Sequence, residues 1–149
     1  MNRIDLSNLR LKTFTEQDVY DYCQINNINP NNIIELDLSV NELTDISGIK
    51  IFKNLKELWL YHNKITDISV IKDLNNIKIL HLNNNGIKDI SVIQYLNKLK
   101  ELNINNLKLE SDQIQYLNKN FKKYVLFLRN GFKDKTAFKQ LNKNIEIYE

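Results

Sequence analysis

The sequence predicts an α/β solenoid. A short curved parallel sheet, one strand per turn, forms the concave side, and 3₁₀ or short helical segments form the convex side. Two observations carry this. The pattern Leu-x-Leu-x-x-Asn occurs at Leu36–Asn41, Leu58–Asn63 and Leu80–Asn85. Its alternation is that of a strand, with Leu58 and Leu60 on one face and Trp59 and Tyr61 on the other. The copies also keep a strict period: Ile33, Leu55, Ile77 and Leu99 stand 22 residues apart. The same holds for Leu36, Leu58, Leu80 and Leu102, and for Leu38, Leu60, Leu82 and Ile104.

At 149 residues the chain is expected to form one domain: a helical N-terminal cap over 1–32, regular repeats over 33–110, and an irregular repeat with C-terminal cap over 111–149. With three Gly and one Pro, turns fall to the 24 Asn residues, which tolerate left-handed backbone. Net charge is −2 over residues 1–117, +7 over 118–143 and −2 over 144–149. One cysteine, Cys23, excludes an internal disulfide framework. It fits a reducing compartment. No run has the length of a signal peptide or a membrane span, so a cytoplasmic location is expected; a chain with its signal removed would read the same.

In chain order, Ile4, Leu6, Leu9 and Leu11 alternate loosely and can line a first turn. Thr15 suits a helix N-cap, with Glu16 and Asp18 at the positive end and Phe14 stapling onto Val19. Val19, Tyr22, Cys23 and Asn26 follow at helical spacing, with Ile25 beside them, and the helix should stop near Asn26-Asn27, before Asn29-Pro30. Cys23 reads as a small buried residue of this helix. Beyond Ile104 the period loosens: Leu107 stands where the pattern calls for Asn. Ser111-Asp112-Gln113 starts a helix with Ile114, Leu117 and Phe121 on one face. A last repeat then registers Val125 and Phe127 on Leu102 and Ile104, at a spacing of 23. Phe138 and Leu141 suggest another helix, and 145–148 a final strand. The strand 124–128 is apolar on both faces, covered by residues 132–149 or else a self-association surface; the covered, monomeric form is favoured.

The pattern Leu55-x-x-Leu58-x-Leu60-x-x-Asn63-x-Ile65-x-Asp67-Ile68-Ser69-x-Ile71-x-x-Leu74 resembles the leucine-rich-repeat family, in particular the short repeats of bacterial internalins and of phosphatase-regulatory subunits. The resemblance implies that Asn41, Asn63 and Asn85 point inward and bond backbone groups of adjacent turns. It also implies binding as the shared activity. Asp45, Asp67 and Asp89 read as turn caps.

With the register set, the concave face reads in columns: Glu35, Glu57, Ile79, Glu101; Asp37, Trp59, His81, Asn103; Ser39, Tyr61, Asn83, Asn105; and Val40, His62, Asn84, Asn106. Trp59, Tyr61, His62 and His81 cluster at the centre, inside an acidic rim of Glu35, Asp37, Glu57 and Glu101. Aromatic side chains left in solvent within a polar rim mark a protein-binding hot spot. The competing reading is that neighbours or a terminal tail cover Trp59. The two histidines are too far apart in register to share a metal ion. A nucleic-acid surface on the basic segment 118–143 is the minor alternative, and an enzyme inhibitor or regulatory subunit using the same concave face is another. The chain carries no glycine-rich phosphate loop, no Gly-x-Ser-x-Gly and no Cys/His metal spacing; neither an enzyme nor a cofactor is expected.

Overall fold

The structure is a computed structural model that describes residues 2–118, 124–127 and 145–148. Seven strands form one sheet in sequence order: β1 (Arg3–Asp5), β2 (Glu35–Asp37), β3 (Glu57–Trp59), β4 (Ile79–His81), β5 (Glu101–Asn103), β6 (Tyr124–Phe127) and β7 (Ile145–Tyr148). Every pairing is parallel. Each turn returns over the convex side through a 3₁₀ segment, Ser47–Ile51, Ser69–Asp73 or Ser91–Tyr95. Before each one, Asp45, Asp67 or Asp89 accepts the backbone N–H two residues on, at 2.7–2.8 Å. The aspartates are turn caps. Hydrogen bonds from Ser69 hold the Asp67 carboxyl below its ordinary pKa.

The period becomes core because one face of every repeat points inward. The columns headed by Ile33, Leu36, Leu38, Leu43, Ile49 and Phe52 continue through the next turns and are almost wholly buried. No repeat has enough apolar surface alone, so stacking is what removes it from water.

The asparagine column closes each bend. Asn63 Oδ1 accepts the Leu43 N–H at 2.9 Å, and its Nδ2 donates to the Leu38 and Leu60 carbonyls, each at 3.0 Å. Asn85 repeats the set on Ile65, Leu60 and Leu82. Asn41 does so on Leu11, Leu6 and Leu38, and also takes the Leu9 N–H. Leu107, fully buried, ends the ladder.

Residues 2–32 open with β1, in register with β2 so that Ile4 sits beside Leu36. The first turn is longer than the rest because a true helix, α1 (Glu16–Ile25), stands where later turns have a 3₁₀ segment. Thr15 caps it: its hydroxyl accepts the Asp18 N–H, while the Asp18 carboxylate accepts the Thr15 N–H at 2.7 Å. Hydrogen bonds donated by the Thr15 N–H and hydroxyl hold the Asp18 carboxyl below its usual pKa. Val19 and Cys23 are its buried residues, whereas Ile25 is 83% exposed. Burial pushes the Cys23 thiol upward in pKa. Helix docking also depends on Gly48. A Cβ there would lie 2.7 Å from the Phe14 carbonyl oxygen and closer still to that of Thr15.

The structure corrects the sequence reading at three places. Leu9 is exposed, because it stands at the register of Asn41, where its backbone rather than its side chain is used. The column Val40, His62, Asn84 and Asn106 is not strand: each residue has φ between 54° and 58° and turns the chain out of the sheet. Asn8 adopts the same conformation in the first turn. In the last repeat Leu126, not Val125, pairs with Leu102, a spacing of 24 rather than 23. A one-residue slip exchanges the two faces of a strand, so Val125 and Phe127 fall level with Glu101 and Asn103 instead of with the core. A strand apolar at every position gives alternation nothing to decide with. At the C-terminal side a 3₁₀ turn Ser111–Gln113 runs into α2 (Ile114–Asn118), with Leu117 buried, as the helix start at Ser111 predicts. Phe121, the suggested helix around Phe138 and Leu141, and the covering tail 132–144 lie outside the described residues.

Two substitutions test this local account. Gly48→Val, which installs the side chain that the next two turns carry as Val70 and Val92, should cost about 3 kcal/mol in urea unfolding. Helical circular dichroism should fall with it. Val40→Asn, at an exposed left-handed position where a β-branched residue is strained, should raise stability by about 1 kcal/mol in the same assay.

Candidate partner-binding face

Pairing fixes the concave columns. Arg3, Glu35, Glu57, Ile79 and Glu101 are level with one another, as are Asp5, Asp37, Trp59, His81 and Asn103. The second column has a structural use in three turns. Asp5 Oδ1 accepts the Ser7 N–H at 3.1 Å, Asp37 Oδ1 the Ser39 N–H at 3.0 Å, and Asn103 Oδ1 the Asn105 N–H at 3.1 Å. Each is a short polar residue closing the exit from its own strand. The Ser7 bonds, reinforced by Arg3, hold the Asp5 carboxyl below its ordinary pKa. Trp59 and His81 stand at the same register and have no oxygen to make this bond. At these two levels the column is released from supporting the turn.

Trp59 is half-buried rather than free in solvent. The Arg3 guanidinium lies over its ring, 5.5 Å from the centroid. The same group reaches Asp5 at 3.3 Å, Glu35 at 3.7 Å and Asp37 at 3.9 Å. Sequence reading allowed for a terminal cover over Trp59 but did not name Arg3, which only the pairing of β1 brings to this face. Next to Trp59, His81 Nε2 meets Glu101 Oε1 at 2.8 Å. The carboxylate of Glu57, two residues before Trp59 on the same strand face, has neither a hydrogen bond nor an ion pair among the described residues.

His62 stands apart from this group. It is exposed, in the left-handed turn after β3, with its ring edge-on to Tyr61 at 5.8 Å. Asn84 accepts a hydrogen bond from Asn106 through Oδ1 and so offers its Nδ2 to His62 Nε2, 3.2 Å away. In that arrangement His62 Nε2 is the acceptor.

The centre of the face is a shallow groove of about 470 Å³ lined by Arg3, Asp37, Trp59, Tyr61, His81, Asn83 and Asn103. It brings together Trp59, Tyr61, His81 and Asp37 from the expected site and adds Arg3, Asn83 and Asn103. Glu35 and Glu101 flank it, joined to Arg3 and His81. Among the described residues the Asn83 Oδ1 is shut off from solvent without a hydrogen-bond partner. Such an acceptor costs about 1–3 kcal/mol. Among the described residues no group of three or more His, Cys, Asp or Glu is placed to hold a metal, and no helix is long and apolar enough to cross a membrane. The basic residues Lys119, Lys122, Lys123, Arg129, Lys133, Lys135, Lys139 and Lys143 lie outside the described residues.

A family model for leucine-rich repeats, in two copies, matches residues 31–74. Among solved structures, an internalin (inlF) of Listeria monocytogenes is similar over 80% of this chain and 35% of its own, at 28% identity and a TM-score of 0.71. A leucine-rich-repeat protein of Leptospira interrogans is similar over 100% of this chain and 37% of its own, at 25% identity and a TM-score of 0.77. Internalin C2 of Listeria monocytogenes, at 21% identity and a TM-score of 0.62, shares the fold over 99% of this chain and 74% of its own. The chain thus spans little more than a third of the length of the first two. A search of curated proteins finds no match. Proteins of this repeat class typically mediate protein–protein interaction and are generally not enzymes. Repeat pattern, parallel sheet, 3₁₀ returns and structural likeness agree: the chain has the fold of a leucine-rich-repeat solenoid, and its residues 31–74 match the repeat model itself.

Proposed function

We propose that the chain is a protein-binding module that captures its partner on the concave face, centred on Trp59. The observation that carries this is the column shared by Asp5, Asp37, Trp59, His81 and Asn103. Where it serves the fold it holds a short polar residue bonded to its own turn. At the two central levels it holds large rings that do nothing for the turn and line the groove instead. Tyr61 extends the ring surface along β3, and His62 prolongs it over the rim. Glu35, Asp37, Glu57 and Glu101 supply the surrounding charge. A rigid aromatic centre inside a polar rim is the arrangement in which a few side chains carry most of the binding energy. An enzyme inhibitor or regulatory subunit would use the same face and differs only in the identity of the partner.

The test is partner capture from native extract by wild type and by Trp59→Ala and Tyr61→Ala. Both side chains lie outside the core, so urea midpoints should stay within about 1 kcal/mol of wild type. Capture of the partner should drop by about tenfold or more. Undiminished capture, or variants that unfold like core mutants, contradicts the reading.

A further inference from the structure

We propose, building on the concave-face reading, that the groove at Trp59 is a receptor for an arginine side chain presented by an extended segment of the partner, and that Arg3 is its internal stand-in. Three observations converge. First, a guanidinium already occupies the position: Arg3 lies 5.5 Å from the Trp59 ring centroid, with Asp5, Glu35 and Asp37 around it. The geometry therefore accepts that group, an aromatic platform below and carboxylates at its edge. Second, Arg3 is weakly held. Its side chain is 48% exposed and its ion pairs span 3.3–3.9 Å. Exposed pairs of this kind give way readily to a competitor. Third, the charge on this face is not balanced. Among the described residues Asp5, Glu35, Asp37, Glu57 and Glu101 face a single guanidinium, Glu101 meeting His81 besides, and the Glu57 carboxylate has no partner.

Glu57 decides the orientation. It stands two residues before Trp59 on the same strand face, so a guanidinium stacked on the indole can turn its edge toward that carboxylate. Lysine can supply the charge but neither the planar stack nor the forked donors. A neutral side chain gains nothing from the acidic surround.

Trp59 is the only tryptophan of the chain, so its emission reports on this groove directly. The probes are short capped peptides alternating serine with arginine, serine with lysine, or serine alone, titrated at low ionic strength. The arginine peptide should shift Trp59 emission saturably and bind about tenfold more tightly than the serine peptide, with the lysine peptide between them. Arg3→Gln, by vacating the platform, should tighten the arginine peptide by about three- to tenfold. Lys72→Gln makes the same charge change on the convex 3₁₀ segment and should shift binding less than twofold. A serine peptide that matches the arginine peptide, no response to any of the three, or an Arg3→Gln effect no larger than that of Lys72→Gln overturns the assignment. Failure of the concave-face reading itself would show differently, as partner capture indifferent to Trp59→Ala.

Discussion

A solenoid turn leaves a problem that its sheet cannot solve. The strands here are three residues long from β1 to β5, and beyond them backbone pairing between turns continues but leaves out particular groups, among them the Leu38 and Leu60 carbonyls and the Leu43 and Ile65 amides. Buried without partners, each would cost about 1–3 kcal/mol. The side chains of Asn41, Asn63 and Asn85 meet this need, each bonding the turn before it as well as its own. That bridge fixes the vertical offset between turns. With the offset fixed, the leucine and isoleucine columns stack, the strands align, and the concave columns follow without further specification.

The same constraint separates positions that serve the fold from positions that are free. Leu58, Leu60 and Asn63 are committed to core and ladder. Between them, Glu57, Trp59 and Tyr61 point to the other side and carry no duty toward the stack. The column through Trp59 makes the contrast sharp, since the same register in other turns is held by Asp5, Asp37 and Asn103 bonding their own exits. Not every residue of the acidic rim is equally available. Asp37 is engaged with Ser39, and Glu101 with His81, whereas Glu57 is open.

The regular body was readable because an invariant period places the same residue type at the same depth in every turn. What escaped the sequence did so for identifiable reasons. The first turn contains α1, and Leu9 replaces the ladder asparagine, so its register with Leu36 is hidden even though Ile4 is core. Arg3 was missed as a consequence, because its place above Trp59 exists only once β1 is paired. The left-handed column was disguised by Val40 and His62, neither of which signals positive φ as Asn84 and Asn106 do. The last repeat slipped by one because Val125, Leu126 and Phe127 are all apolar.

The claim on which everything rests is that the asparagine side chains, rather than the strands alone, set the stacking. Amide hydrogen exchange tests it most directly. The Leu43 N–H is bonded only to the Asn63 side chain among the described residues, so it should be protected like a strand amide in wild type. In Asn63→Ala it should exchange at least about tenfold faster relative to the Leu60 amide of the same turn. A Leu43 amide whose protection is unchanged by that substitution would contradict the account.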